Sequence, residues 1–384
     1  MANALGNYNP IFYANEALIH LRKALGMAAR VHRGFESERR SVNVGQTISI
    51  RKPSTFTAQD PISSDQDLAT QTVDITLDKN PGVRFALTDL ELSYTGEQVI
   101  TEHIMPAAYA IADKIDQYLI ALYKDVPWTY DYGSAVDHTI ITGGKKEMFD
   151  RAVPVNDEGM MHLMVDGTTQ MYFENSTTFH SASVTGPGGN PTLMRGGLGT
   201  RFGIECFANQ NITTAGTHTV GTIISGSDQA GALTANLARG ATSMALGSMA
   251  ATETLAAGDT FSIAGNTQRY SVTTAVTMSG GAGTVTFSPA AVQAYSSGAV
   301  VTFYVQTTGV QQLMFHRNAF ALAMAPLPDR LPGIEVAVAT DPVSGLSLRA
   351  RRWSVGLTAM SYIALDALCG VKTLDPNMAE RLWT

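Results

Sequence analysis

Apolar and polar positions change rhythm several times along this chain, and each change marks an element. Over residues 11–33 the apolar positions Leu18, Leu21, Leu25 and Ala28 fall near one stripe, with Arg22, Lys23 and Arg30 opposite. That is an amphipathic helix, which Gly26 weakens and divides. It is suited equally to lying on a partner surface or to packing on its own domain. Residues 41–93 change to a two-residue period: 46–51 alternates up to Pro53, 72–77 alternates again, and 84–90 follows the Asn80-Pro81-Gly82 turn. A polar tract, 54–70, separates the first two runs, so they predict a β-hairpin arm with a long polar tip. A lone hairpin is marginal in water and must rest on a neighbour.

The helical period then returns. Thr95-Gly96-Glu97-Gln98 fits a capping box, and Ile100, Ile104, Ala108, Ile111, Ile115 and Leu122 build one stripe, from which Lys114, Asp116 and Gln117 fall away. The pattern predicts a helix over about 96–123, roughly 40 Å long at 1.5 Å per residue, bent at Pro106. Residues 126–211 read as compact α+β: a buried strand at 161–165, a helix opening at 167–173, a Gly/Pro-rich loop at 182–195 and a strand at 203–208. Strands at 311–315, 320–325, 335–339 and 346–355 resume the host, and 364–382 predicts a helical or irregular tail.

Between them lies a stretch of different character. Residues 212 to about 308 are rich in Thr, Ser, Gly, Ala and Val, and Arg239 and Arg269 are their only Lys or Arg residues. Short β-like runs at 219–225, 260–264, 268–276, 283–288 and 299–306 are separated by Ala257-Gly258-Asp259, Gly265-Asn266 and Ser279-Gly280-Gly281. This is a small antiparallel barrel or sandwich inserted into the host, as happens where two chain ends lie close on a surface. The fold class is therefore α+β with an all-β insertion domain.

Composition adjusts this picture. Charged residues are 15% of the 384, below the usual quarter, which suits a surface covered by copies of itself. A net charge of −7 argues against nucleic-acid binding by the chain as a whole. The basic spots Arg39 with Arg40 and Arg349 with Arg351 and Arg352 read as solvated faces and ordinary ion pairs. Cys206 and Cys369 sit in apolar surroundings as buried free thiols, which fits a reducing cytoplasm. The amino terminus has no signal-peptide pattern and no run approaches 18 apolar residues, so no membrane segment is expected.

Catalytic patterns are not found. No nucleophile elbow or P-loop occurs; Gly196-Gly197-Leu198-Gly199 and Gly143-Gly144-Lys145-Lys146 have the wrong spacing. The eight histidines are scattered; His162 and His180 could share a site, but ordinary polar or core roles are the simpler reading. Asp113, Asp116, Asp157 and Glu158 sit where solvated faces are expected. No catalytic residue, cofactor or metal is assigned, and an enzyme is not expected.

The order of arm, hairpin, long helix, α+β domain and inserted barrel resembles the major capsid proteins of tailed bacteriophages, the Hong Kong 97-type fold. The insert narrows the resemblance to the short-tailed-phage coat protein branch. The similar stretches are 28–53 with Gly45-Gln46-Thr47-Ile48-Ser49-Ile50, 107–118 with Ile115-Asp116, and 255–265, which reads Leu-Ala-Ala-Gly-Asp-Thr-Phe-Ser-Ile-Ala-Gly. Residues 315–327, 345–349 and 366–370 are also similar. The resemblance implies an amino-terminal arm (1–40), an extended loop over a neighbouring subunit (41–93) and a peripheral domain with its spine helix (94–125 and 331–384). It further implies an axial domain (126–211 and 309–330) and the inserted β-barrel (212–308).

The implied function is a shell of pentamers and hexamers that encloses double-stranded DNA with weak non-specific contact. Scaffolding protein and portal are the implied assembly partners, with assembly in the bacterial host cytoplasm and a final place in the virion. The alternative reading is a decoration or tail component using the β-rich insert for adhesion. Crosslinking members of the family use a Lys and Asn pair; Lys52 is the only lysine near the hairpin and has no assigned partner, so a noncovalent shell is expected. Subunit contacts are expected at Arg22, Lys23, Arg39, Arg40, Arg51, Lys52, Asp60, Asp65 and Asp228.

Overall fold

The structure is a computed structural model that describes residues 10–33, 47–52, 58, 60, 71–88, 103–133, 137–176, 198–224, 230–250, 252–329, 332–340, 346–355 and 360–383. The chain divides into two compact units, Met1–Leu119 with Phe320–Leu374, and Ile120–Ala319 with Asp375–Thr384.

In the first unit the amphipathic stretch is a helix, Pro10–Ala24, followed by the short 3-10 turn Met27–Ala29. Tyr13, Ala14, Ala17 and Leu21 recur at helical spacing and are buried, and the helix packs on strands Glu335–Thr340 and Ser347–Val355. Of its two candidate roles, packing on its own unit is the one observed. Gly26 marks the division. These two strands continue through Met360–Asp366 to Gly82–Thr88 as an antiparallel sheet of four.

The hairpin is present at its base: Thr47–Lys52 pairs antiparallel with Gln71–Thr76, from Thr47 opposite Thr76 to Lys52 opposite Gln71. Ile48, Ile75 and Leu77 bury against Ala321, Ala323 and Ala325, each such side chain contributing about 1.5–3 kcal/mol. Of the tract at 54–70, only Ala58 and Asp60 lie among the described residues.

The long helix is regular over Met105–Ile120 and tightens to a 3-10 turn over Ala121–Asp125. Its Thr95–Gln98 start lies outside the described residues. Pro106 falls in the first regular turn, just after a wider π turn at His103 and Ile104, so the ladder is disturbed locally there.

The second unit holds a mixed six-stranded sheet in the order Thr129–Asp131, Ala379–Trp383, Gln312–His316, Met161–Val165, Ile204–Ala208, Thr200–Arg201. Helices Thr139–Asp150 and Gly167–Asn175 accompany it; the Asp166 carboxylate caps the second by accepting from Thr169 N at 2.9 Å. Ile140, Met148, Val165, Phe173, Met314 and Leu382 belong to its core.

The insert contains a closed barrel in the order Ser243–Gly247, Gly283–Ser288, Arg269–Val272, Thr260–Ile263, Val300–Phe303, Ala230–Leu233. Closure leaves no open edge. Phe261, Tyr270, Phe287 and Phe303 fill it, with ring centroids 5.2–5.7 Å apart. This barrel has an apolar core of its own.

Four expectations are corrected. The tail 364–382 is not helical: it supplies the end of strand Met360–Asp366, then Leu368–Thr373 and Ala379–Trp383. The last is buried at all five positions, and burial on both faces erases alternation. Ala379–Trp383 pairs in the sheet of the second unit rather than with the rest of 331–384. Phe320–Ala325 pairs with Leu368–Thr373 in the first unit rather than joining 126–211. Finally, the described part of the run expected at 219–225 is not a strand: after Thr217–His218 the chain turns at 222–224, because β propensity yields to packing context.

Candidate functional site

Several titratable side chains among the described residues form pairs. Burial pushes the thiols of Cys206 and Cys369 up to about 12, so both stay protonated and inert. His162 pairs with Glu205 at 3.0 Å, and His180 lies outside the described residues. Among the described residues no group of His, Cys, Asp and Glu could hold a metal ion.

One expected solvated carboxylate is not solvated. Asp116 is 2% exposed and accepts from Gly26 N at 2.8 Å and Ala28 N at 2.9 Å. It thereby satisfies backbone donors at the break between arm helix and 3-10 turn. Arg30 Nη1 donates to Gly26 O at 3.0 Å and closes the same bend.

The barrel meets the sheet of its unit through polar chemistry. The insert leaves and returns on adjacent strands, Thr217–His218 paired with Gly309–Val310. Above this neck the fully buried Asp259 accepts from Gly221 N at 3.1 Å and Ala256 N at 2.7 Å, and its Oδ1 pairs with His218 Nε2 at 3.0 Å. Burial lowers the His218 pKa, overriding the pull of Asp259. Arg381, from the last strand, is fully buried 6.0 Å from the Tyr123 ring, and its three guanidinium nitrogens hydrogen-bond to no described residue. Burial lowers the Arg381 pKa to about 10, against the opposing pull of Tyr123 and Asp259.

Farther along, Arg269 Nη1 donates to Thr129 O at 3.2 Å, and Ser271 Oγ donates to Lys124 O. The Trp128 ring has Arg269 at 5.6 Å and Arg151 at 4.5 Å, and Arg151 reaches the buried Glu380 at 3.2 Å. Burial raises Glu380 to about 7 against the opposing pull of Arg151.

A second polar cluster lies on the four-stranded sheet of the first unit. Asp366 accepts from Arg349 Nε at 3.0 Å and Arg349 Nη2 at 2.7 Å, and Arg351 Nη2 lies 2.8 Å from it. Beside it runs an open groove of about 340 Å³, lined among others by Asn80, Arg84, Arg351, Trp353 and Asp366. Trp353 stacks on Tyr362 at 5.4 Å, and Arg84 lies 5.8 Å from the Tyr362 ring.

Of the nine expected contact residues, five lie among the described residues. Arg22 and Lys23 fall in the last turns of the arm helix, and Arg51 and Lys52 at the far end of the first hairpin strand. Asp60 is exposed. Arg39, Arg40, Asp65 and Asp228 lie outside the described residues, as does the 182–195 loop. Sequence reading missed Asp116, the Asp259–His218–Arg381 cluster and the Arg84 groove.

No protein-family model matches the sequence, and no curated protein matches it. Among solved structures, a chain of Mycobacterium phage Che8 is similar over 93% of this chain and 90% of its own, with a TM-score of 0.51 and 13% identity. A chain from the capsid structure of the cyanophage P-SCSP1u is similar over 90% and 85%, at TM-score 0.44 and 12% identity. One from the asymmetric unit of the bacteriophage PhiM1 mature capsid is similar over 93% and 86%, at 0.45 and 10%. The Che8 likeness shows that the two chains share a fold.

Proposed function

We propose that this chain is a major capsid protein, which assembles with copies of itself into the icosahedral shell of a tailed bacteriophage around double-stranded DNA. The observation that carries the reading is the fold shared with the Che8 chain along almost the whole of both chains. The element order supports it, because an arm helix, a hairpin, a long helix, an α+β sheet and an inserted barrel follow one another as the sequence resemblance implies. In the finer reading, a Hong Kong 97-type architecture, the first unit is the peripheral domain with spine helix and extended loop. The second unit is the axial domain carrying the inserted barrel.

The physical logic agrees. Copies of one sequence in quasi-equivalent places need arms that adapt rather than one rigid patch. Ile48 and Ile75 anchor the base of the hairpin. Scaffolding protein, portal and packaged DNA are the proposed partners, the virion shell is the proposed location, and host cytoplasm is the proposed place of assembly. The net charge of −7 suits a container that does not grip its DNA.

The test is expression with and without a scaffolding protein, followed by negative-stain electron microscopy. Closed particles of uniform diameter are the expected result. Monomers or small rings under both conditions overturn the reading.

A further inference from the structure

Arg381 carries a buried charge with donors to spare. It stands opposite Leu313 in the sheet, and none of its side chain reaches solvent. Its Nε, Nη1 and Nη2 hydrogen-bond to no described residue. Asp259, the carboxylate that acts on it, is held by other donors: Oδ2 accepts from Gly221 N and Ala256 N, and Oδ1 pairs with His218 Nε2. Tyr123 spends its hydroxyl on Thr217 O at 3.0 Å. Buried donors without an acceptor are rare in folded proteins, and a guanidinium has five to satisfy.

Three groups converge beside Nη1. A Cβ added to Gly258 would sit 3.5 Å from Arg381 Nη1, 3.0 Å from His218 Cε1 and 3.1 Å from His218 Nδ1. Tyr123 closes the side, its ring 6.0 Å from the guanidinium and 5.9 Å from the His218 ring. With φ at +107°, position 258 calls for glycine, which leaves a methyl-sized space next to Nη1. The charged groups acting on His218 are Arg381, Lys124 and Asp259, two positive and one negative, while burial holds His218 itself toward its neutral form.

We propose that the neck of the barrel binds a small inorganic anion of halide size, held on Arg381 Nη1 between Gly258, His218 and Tyr123. With two positive groups and one negative already there, one more negative charge brings the local sum to zero and gives the guanidinium its acceptor. The amide oxygens of Gln306 and Gln311 are also buried without partners. Waters would serve those oxygens, but a water brings no charge to Arg381. A phosphate or a carboxylate ligand is too large for a space of one methyl group. Gly258 and His218 belong to the insert, Arg381 and Tyr123 to the host, so the ion joins the two as a clasp.

The experiment melts full-length chain at constant ionic strength while sodium gluconate, whose anion is too large for the site, is replaced by sodium chloride or sodium bromide. Wild type should gain melting temperature along a saturating curve, by roughly 2 °C once the halide exceeds its Kd about tenfold. Arg381→Gln should show no such curve. Arg381→Lys keeps the charge but loses the planar fork, and its curve should shift to roughly tenfold higher halide; circular dichroism checks that both variants fold. Crystals of wild type grown with sodium bromide give a reading that needs no variant: an anomalous peak should stand against the guanidinium. A wild type without a saturable halide effect overturns the proposal. So does an effect that Arg381→Gln retains in full, which marks adventitious ions elsewhere, and so does a peak at Arg381 without anomalous signal, which marks water. Particle formation is scored separately, because the proposal does not rest on the shell reading: particles from a halide-insensitive chain leave that reading standing.

Discussion

Asp116 sits four residues from Ala112 and one from Ile115, on the buried flank of a long helix, with two backbone N–H groups from 88 and 90 residues away on its oxygens. Asp116→Ala orphans both donors in a dry place, and about 2–4 kcal/mol of stability should go with them; urea denaturation measures it. A second residue-scale case runs the other way. Phe202 and Gly203 form the two-residue turn between Thr200–Arg201 and Ile204–Ala208, both with positive φ, at 53° and 83°. Asparagine fits that first position better than a half-exposed phenylalanine, so Phe202→Asn should stabilise by about 1 kcal/mol, seen as a higher melting temperature.

Titration supplies a third residue-scale prediction. Because burial keeps the folded-state pKa of His218 below 6.5, the unfolded chain takes up its proton first, and this residue removes stability as pH falls below about 6.5. Glu380 acts in the opposite sense: held up to about 7, its contribution is present below 4.5 and is lost as pH rises through 7. The stability difference between wild type and His218→Gln should therefore slope one way with pH, and that for Glu380→Gln the other. Denaturation midpoints across this range give both slopes.

At the scale of elements, the hairpin and the barrel show what a sequence displays and what it hides. The hairpin was legible because its base buries one face only, leaving Ile48 and Ile75 alternating with polar neighbours. Its anchorage was not legible, because it depends on Gly370, where a Cβ would meet Thr76 O at 2.3 Å. Gly370→Ala should cost about 1–3 kcal/mol by forcing the strands apart, measurable as a lowered melting temperature. In the barrel, Gly283–Ser288 declared itself through Val and Phe, whereas Ala230–Leu233 and Ser243–Gly247 did not. Ala230–Leu233 is short and rich in small residues, and a Cβ on Gly231 would meet Met249 Sδ at 2.7 Å. The Arg84 groove was hidden for another reason: Arg84, Arg351 and Asp366 are brought together only by the pairing of strands distant in sequence.

For the whole molecule, assembly and folding should separate. Deleting 54–70 removes a tract that lies beyond the hydrophobic base of the hairpin. The deletion variant should melt within a few degrees of wild type, a change of well under about 1 kcal/mol, yet form no closed particles by electron microscopy. Normal particles from this variant would refute the role assigned to the tract.

The neck of the barrel has a consequence for how such a chain changes over generations. His218 and Gly309 are register partners, so ninety intervening residues begin and end about 5 Å apart. Everything between those two points enters and leaves the host through this one pair of strands. What resists the exchange is Arg381, a host residue whose buried charge is answered by Asp259 of the guest. An heir that discards the barrel inherits a naked cation, and its first compensating substitution should fall at that codon.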